Sequence, residues 1–229
     1  MLWSSADAAG DRPLVLLAHG GGQHKTAPGL VARAHCYVMT CGFAVAAIDA
    51  PGHGDQPRTE QDERFVAGMR ERLTAREPIA PHIARYNTEL AARAIGAWQA
   101  TLDALQELDG IGADGPVGFW GVSLGTAIGV PLAAAEQRIT AAVFGLAGHE
   151  TLAEAAGRVA VPVQFLLQWD GELVSRDSAL ALFDAFASPE KTLHANPGRH
   201  VEVPAFELDS SARFVTRHLV EAGGSAAAT

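Results

Sequence analysis

The hydrophobic pattern of the chain takes two forms that alternate along its length. Short runs that are apolar throughout, together with a weaker final run, are found at 14–20, 44–50, 117–123, 141–148, 163–169 and 191–197. Strands that are apolar along their whole length are buried on both faces, as in a parallel sheet that helices cover. We therefore predict a mostly parallel sheet of about six strands, with the weaker run at its edge.

Between these runs, apolar residues recur at helical spacing. A stripe at steps of three, four or seven is formed by Ile83, Leu90, Ala94, Trp98, Leu102 and Leu105. Further helices are predicted over 26–41, ended by Gly42, over 175–186, capped by Ser175, and over about 205–222. Alternating strands and helices imply right-handed crossovers, so the predicted fold class is α/β with a doubly wound sheet flanked by helices.

One segment departs from this alternation. Residues 58–77 carry ten charged side chains in twenty positions, and Pro78 and Pro81 then interrupt any helix. A solvated surface helix and a cap over a substrate pocket both agree with this pattern, and in a cap Phe65 and Met69 could face the substrate. We predict a single domain over 1–229 with a short helical cap insertion at about 56–82.

Composition and charge limit the possible partners. The chain has 229 residues, of which 48% are hydrophobic and 19% charged, an ordinary globular balance. A net charge of −9 without a basic stripe argues against binding to nucleic acid or to an anionic membrane surface. The N-terminus lacks the features of a secretory signal, which predicts a cytoplasmic protein. The oligomeric state stays open.

Residues 118–127, GFWGVSLGTA, place Ser123 at the junction of a predicted strand and a predicted helix. A sharp turn would lift its hydroxyl clear of the backbone, and Gly121 and Gly125 would remove Cβ atoms where the helix crosses the strand. The helix N-terminus would offer free N–H groups to a developing oxyanion. A plain turn has the same local pattern, but the preceding buried strand favours a nucleophilic serine.

A glycine-rich loop follows the first predicted strand, in AHGGGQHK at 18–25. Consecutive glycines let backbone N–H groups approach a small anion. A phosphate loop or a plain turn would also use glycines, but the lysine and Ser/Thr spacing of a Walker A motif is absent. With the serine turn nearby, we interpret the loop as part of an oxyanion hole, with the N–H of Gly21 or Gly22 acting beside that of Leu124.

The general base is expected to be a histidine on a late loop. His200 lies in NPGRHVEVP, between the last predicted strand and the last predicted helix. His19, in the glycine loop, is expected to support that loop rather than to react. The acid that orients the imidazole is expected in WDGELV, where Asp170 directly follows the strand and Glu172 is the alternative.

In this order, HGGGQ at 19–23, GVSLG at 121–125 and His200 after a candidate acid resemble the α/β-hydrolase superfamily. IDAPGHG at 48–54 is similar to the loop after the fourth strand of that fold. The resemblance covers about 14–222. It is closest to small esterases or dienelactone-hydrolase-like members, although dienelactone hydrolases carry cysteine in place of the serine. It implies a serine–histidine–acid triad.

Two features depart from that pattern. Only 13 residues precede the first buried strand, so the leading antiparallel strands of the family are expected to be reduced or missing. Many relatives place the acid three residues before a valine. Counted back from Val174, that place is Gly171, with Asp170 one residue early and Glu172 one residue late.

The favoured function is hydrolysis of a small carboxylic ester or lactone. His200 would take the proton of Ser123, which would attack the carbonyl carbon and form an acyl-enzyme, with no metal or organic cofactor needed. One alternative is a non-catalytic binder of small ligands on the same fold, which Gly171 suggests. Another is a lyase that uses the serine and the histidine for proton transfer.

Overall fold

The computed structural model describes residues 1–5, 12–112 and 115–226, which form a seven-stranded sheet with helices on both faces. The strands are β1 (Leu2–Trp3), β2 (Leu14–Ala18), β3 (Ala44–Ala46), β4 (Val117–Gly121), β5 (Ile139–Gly145), β6 (Val163–Gln168) and β7 (Lys191–Asn196). Their order in the sheet is β1-β3-β2-β4-β5-β6-β7, and every neighbouring pair except β1–β3 is parallel. The predicted doubly wound, mostly parallel sheet is confirmed.

The strand β1 is the part of the sheet that the hydrophobic pattern did not predict. It pairs antiparallel with β3, with Leu2 opposite Ala46 and Trp3 opposite Val45. Two residues are too few to show a strand periodicity. The sheet therefore has seven strands rather than about six, and its leading antiparallel part is reduced, in the described residues, to this short strand.

The helices of the described residues are α1 (Pro28–Cys41), α2 (Glu60–Ala75), α3 (Ala80–Gln106), α4 (Leu124–Ala135), α5 (Ala153–Ala156), α6 (Arg176–Ala185) and α7 (Phe206–Ala226). The expected end signals are present. Gly42 adopts a left-handed φ of 73° after α1, and the Ser175 hydroxyl accepts a hydrogen bond from the Ser178 N–H at the start of α6. In the part of the chain that is described, no helix is both long enough and apolar enough to cross a bilayer.

Alternate residues of each central strand face different helix layers. In β2, Leu14 and Leu16 pack with α3 and α4, whereas Val15 and Leu17 pack with α1 and α7. Burial on both faces explains why these strands are predominantly apolar. The edge strand β7 is only partly buried, as its weaker hydrophobic run predicted.

The parallel arrangement brings the segments that follow β2 to β7 to one end of the sheet, and four of them carry predicted site residues. β2 leads into the glycine loop and β4 into Ser123, while β6 and β7 lead into the loops 169–175 and 197–205. Since β2 is paired with β4, and β6 with β7, the loops within each pair are neighbours. The carboxyl ends of the strands are where open α/β sheets bind their ligands.

Candidate active site

Ser123 occupies a strained backbone position between β4 and α4. Its φ is 57° and its ψ is −114°, a left-handed conformation that residues other than glycine rarely adopt. Its N–H donates a hydrogen bond to Gly145 O at 2.9 Å, which fixes the turn to the end of β5. The sharp strand-to-helix turn expected around this serine is therefore present.

The glycines on either side of Ser123 allow β4 and α4 to come close together. A Cβ on Gly121 would lie 2.8 Å from the carbonyl carbon of Gly125, and a Cβ on Gly125 would lie 2.6 Å from Ala18 O. A real Cβ does not approach backbone atoms so closely, so a larger residue would force the helix away from the sheet. The prediction that these glycines remove obstructing Cβ atoms is confirmed.

The structure brings Ser123 and His200 together, although 77 positions separate them in the chain. Ser123 Oγ and His200 Nε2 are 3.0 Å apart. His200 is only 6% exposed. Burial lowers the pKa of its imidazole, and the negative charge of Glu172 opposes that shift. The imidazole is therefore neutral at neutral pH, the state in which it can accept the serine proton.

The two predicted acids contact the backbone of the loop that carries His200. Asp170 Oδ2 accepts a hydrogen bond from Gly198 N at 3.2 Å, and Glu172 Oε2 accepts one from His200 N at 2.9 Å. Glu172 Oε1 also accepts from Arg199 at 3.2 Å. The His200 N–H is the main cause of the lowered pKa of Glu172. Among the described residues, none of the hydrogen bonds joins a carboxylate to the His200 ring.

Gly171 lies between these two acids, at the position where the resemblance places the catalytic carboxylate. Its N–H donates to Gln168 O at 3.1 Å. A Cβ on Gly171 would lie 3.1 Å from that oxygen and 3.6 Å from Val174 O, a tight fit that small shifts can relieve. The described site therefore has no carboxylate at the position where the motif expects one.

The His19 side chain supports the glycine loop through hydrogen bonds to the backbone. The Ala50 N–H donates to His19 Nε2 at 3.0 Å, so the ring proton is on Nδ1, which donates to Gly20 O at 2.9 Å. Burial is the largest cause of the lowered pKa of this imidazole, which agrees with a neutral ring. The supporting role predicted for His19 is confirmed.

An ion pair between the half-buried Lys25 and the buried Asp49, which was not predicted from the sequence, also anchors the glycine loop. The Lys25 N–H donates to Asp49 Oδ1 at 2.7 Å, and Lys25 Nζ binds both Asp49 and Asp55. Burial raises the pKa of Asp49, but the hydrogen bonds from Lys25 and Asp55 outweigh it and bring the value to about 2. A Cβ on Gly54 would lie 2.3 Å from the carboxylate. The sequence signal was an acid within the predicted run 44–50, three residues beyond the end of β3.

The predicted oxyanion donors lie on the two loops beside Ser123. Ala18 pairs with Gly121, so the glycine loop starts next to the serine turn. Gly21 and Gly22 are exposed with open space around them. Leu124 is the first residue of α4, so its N–H has no acceptor within that helix. N–H groups from the glycine loop and from the start of α4 are thus available at the same end of the sheet.

A cavity of about 600 Å³ opens at Ser123 and His200. Its other walls come from 80–89 in α3, 146–152 after β5 and 173–178 around the start of α6. The volume lies within the range of about 300–1,000 Å³ that is usual for small-molecule sites. Within the described ranges, no group of three His, Cys, Asp or Glu side chains is placed to hold a metal ion.

The segment 56–82 meets this cavity through its last residues. Ala80 and Pro81 line the cavity, whereas Phe65 and Met69 are absent from its walls. The Phe65 ring instead stacks on Tyr86 of α3, with ring centroids 3.8 Å apart. The interpretation that Phe65 and Met69 could face a substrate was therefore wrong, because packing against α3 turns Phe65 away from the cavity.

A buried carboxylate ties α2 to α3. Asp62, near the start of α2, accepts hydrogen bonds from Tyr86 Oη at 2.8 Å and from Arg93 Nη2 at 2.6 Å. It also accepts from the Thr59 N–H at 2.8 Å and so completes the cap of its own helix. Burial raises the pKa of Asp62, but these bonds lower it far more. The helix α2 therefore braces the first half of α3, which forms one wall of the cavity.

Solved structures of other proteins are similar to nearly the whole chain. A cold-adapted esterase from an Arctic intertidal metagenomic library, in a PEG-bound complex, is 35% identical with a TM-score of 0.77, and the match covers 95% of this chain and 87% of that one.

Two more distant structures show the fold alone. Est1E from Butyrivibrio proteoclasticus with ferulic acid bound is 15% identical with a TM-score of 0.68, covering 96% of this chain and 93% of that one. A monoacylglycerol lipase from Paleococcus ferrophilus is 15% identical with a TM-score of 0.60, covering 96% and 99%. No protein-family model matches the sequence, and no curated protein matches it.

Proposed function

This chain belongs to the small esterases of the α/β-hydrolase superfamily, and we propose that it cleaves small carboxylic esters or lactones through an acyl-enzyme on Ser123. The observation that carries the proposal is the 3.0 Å distance between Ser123 Oγ and His200 Nε2 at the cavity. The dienelactone-hydrolase-like subtype stays a prediction from the sequence.

In the proposed mechanism, His200 takes the proton of Ser123 while Oγ attacks the carbonyl carbon. The oxygen that becomes negative is held by the N–H groups of Leu124 and of Gly21 or Gly22. His200 then gives the proton to the leaving alkoxide, and the acyl group remains on Ser123. In the second half, His200 takes a proton from water, the hydroxide attacks the acyl carbon, and the proton returns to Ser123 Oγ.

Glu172 is proposed to supply the negative charge that stabilises the imidazolium. Its carboxylate binds the backbone N–H of His200, whereas Asp170, the first choice from the sequence, binds Gly198. Glu172→Gln should therefore reduce kcat more than Asp170→Asn. The two variants form a matched pair, because each removes one charge from the same loop. A larger loss in Asp170→Asn would restore the assignment made from the sequence.

The proposed domain organisation is one α/β-hydrolase domain over 1–229, with 56–82 as a cap. The cap acts through α2, which braces the start of α3 by the stacking of Phe65 on Tyr86 and by the bonds of Asp62. Apolar side chains, among them Ile83 and Leu152, line much of the cavity. A braced wall and a cavity of about 600 Å³ favour a small acyl group.

A fluorophosphonate probe tests the nucleophile directly. The native chain should be labelled on Ser123, and Ser123→Ala should lose both the label and the hydrolysis of p-nitrophenyl acetate. Ser178→Ala is the matched control, because it removes another serine that lines the same cavity and should keep the label. A panel of short esters and lactones then separates the two substrate classes. An unlabelled native chain would contradict the proposal.

The second candidate function is a non-catalytic binder of small ligands. The observation in its favour is the site around Gly171, where the described residues place no carboxylate against the His200 ring. A binder would retain ester-like ligands in the cavity without turnover. Its signature would be ligand binding by calorimetry in a chain that neither reacts with the probe nor releases p-nitrophenol.

A further inference from the structure

We propose that Gln168 is a positioning residue, whose buried side-chain amide holds the loop that carries His200 in the geometry needed for proton transfer. The inference rests on the proposed role of His200 as the general base. Gln168 is the last residue of β6, and it is not among the residues that line the cavity. It would therefore act through the loop rather than on the substrate.

The Gln168 amide binds the His200 loop at three points. Its Nε2 lies 3.3 Å from Pro197 O, 3.2 Å from Arg199 O and 3.0 Å from Glu202 O. These carbonyls precede and follow His200, so a single amide group spans the turn. Gln168 is only 3% exposed, and it lies at the end of β6, a strand that is paired on both sides. The loop is thus fixed by a group that the sheet itself positions.

The chemistry of the amide indicates that hydrogen bonding to the loop, and not packing alone, accounts for a glutamine at position 168. The Gln168 Oε1 atom is buried and has no hydrogen-bond partner among the described residues. A buried polar atom without a partner lowers stability, so a leucine or methionine would be the better choice if the position served packing alone. The opposite orientation of the amide would set Oε1 against three carbonyl oxygens, which repel it. Only Nε2 satisfies this position.

Three further hydrogen bonds of the loop are made by its backbone N–H groups. Gly198 N binds Asp170, His200 N binds Glu172, and Arg199 N binds Glu202 Oε2 at 2.7 Å. Within the described residues, the His200 ring has Ser123 Oγ as its hydrogen-bond partner. The backbone of the loop therefore determines the position of the His200 ring. A displacement of about 1 Å at a reacting group costs about 100-fold in rate.

The test compares Gln168→Met with Gln164→Met. Both glutamines lie on β6, and Gln164 is 1% exposed, but its amide lies beside His194 instead of the His200 loop. We expect Gln168→Met to lower kcat for p-nitrophenyl acetate about 10- to 100-fold with KM within about threefold. Gln164→Met should keep the native kcat. Thermal melting of both variants measures any general loss of stability.

A pH–rate profile separates positioning from simple destabilisation. In the native chain burial lowers the pKa of His200, so a ring released into solvent should show a higher apparent pKa in kcat/KM. The charge that acts on this ring, that of Glu172, and its partner Arg199 are unchanged in the variant. We expect the inflection to move upward in Gln168→Met and to stay in place in Gln164→Met.

Different results would overturn the two proposals separately. If the native chain labels on Ser123 while Gln168→Met has the kcat and pH profile of Gln164→Met, only the role of Gln168 falls. If the native chain does not label, the role of His200 and the inference built on it fall together. Should Gln168→Met fail to fold, NMR of the native chain decides. Slow hydrogen exchange of the Gln168 side-chain amide supports the proposal that this amide holds the His200 loop, and fast exchange overturns it.

Discussion

Replacing Gly171 by aspartate adds a carboxylate at the place where the resemblance expects the acid. The backbone of Gly171 is outside the left-handed region, so an aspartate can adopt it. The new Cβ would lie 3.1 Å from Gln168 O, which requires a shift of a few tenths of an ångström. Its neighbours Asp170 and Glu172 bind the backbone of the His200 loop, so the new carboxylate would belong to the same short segment. We expect Gly171→Asp to raise the rate.

The size of the effect follows from the hydrogen bond that the variant would add. The His200 ring is neutral and becomes positively charged when it takes the serine proton. A hydrogen bond to a charged partner contributes about 1.5–3 kcal/mol. Since about 1.36 kcal/mol corresponds to a factor of ten, kcat/KM should rise about 10- to 100-fold. Glu172 already supplies part of the negative charge near the ring, which argues for the lower end of this range.

The assay is initial-rate hydrolysis of p-nitrophenyl acetate at several pH values. Gly171→Asn is the matched control, because asparagine has nearly the same shape as aspartate without the charge. The same substitution in a Glu172→Gln background reports whether the two carboxylates share one role. If they do, Gly171→Asp should raise kcat/KM by a larger factor in the Glu172→Gln background than in the native chain.

Two results would refute this reasoning. If Gly171→Asp is no faster than Gly171→Asn while both melt like the native chain, the missing carboxylate does not limit the rate. If the pH profile of Gly171→Asp keeps the native inflection, the new carboxylate does not reach the ring, because a bonded carboxylate raises the pKa of a histidine.

Other substitutions test the supports of the site. Asp49→Asn should lower both Tm and kcat because it breaks the ion pair with Lys25. The difference in Tm between the native chain and this variant should shrink as the pH falls from about 4 to 2, since the Asp49 carboxylate has a folded pKa of about 2, below its ordinary 3.8. In the native chain, kcat/KM should rise with pH through an inflection below 6.5, because burial lowers the pKa of His200 and only the neutral ring accepts the serine proton; an inflection above 6.5 would contradict this. Gly125→Ala should destabilise the chain by about 1–3 kcal/mol in urea unfolding, whereas Gly96→Ala, in an open position of α3, should stabilise it slightly; equal effects would exclude the close-packing argument.

The sheet and the serine turn could be predicted from the sequence because their signals are local. A run of apolar residues reports burial on two faces, and the glycines flanking Ser123 report a helix crossing a strand at short distance. His200 could be placed because a single histidine follows the last strand before the last helix. Its contact with Ser123 then results from the order of the strands.

The acid and the ion pair could not be predicted because their partners are distant in the chain. Asp170 and Glu172 are two residues apart on one loop, and only the opposing loop decides which backbone N–H each one binds. Lys25 and Asp49 belong to two different loops that meet above the sheet. Phe65 lies in a highly charged helix, and its stacking on α3 depends on how the two helices pack.

The described contacts separate two requirements that a histidine base must meet. One requirement is position, which the backbone of the loop satisfies through Gln168, Asp170 and Glu172. The other is charge compensation for the imidazolium, which the proposed mechanism assigns to Glu172, whose negative charge raises the pKa of His200 without a bond to the ring. A carboxylate bound directly to the ring would meet both requirements at once. Because residue 171 is a glycine, the two proposals divide these requirements between different side chains, and substitutions at Gln168 and at Glu172 should have distinguishable kinetic effects.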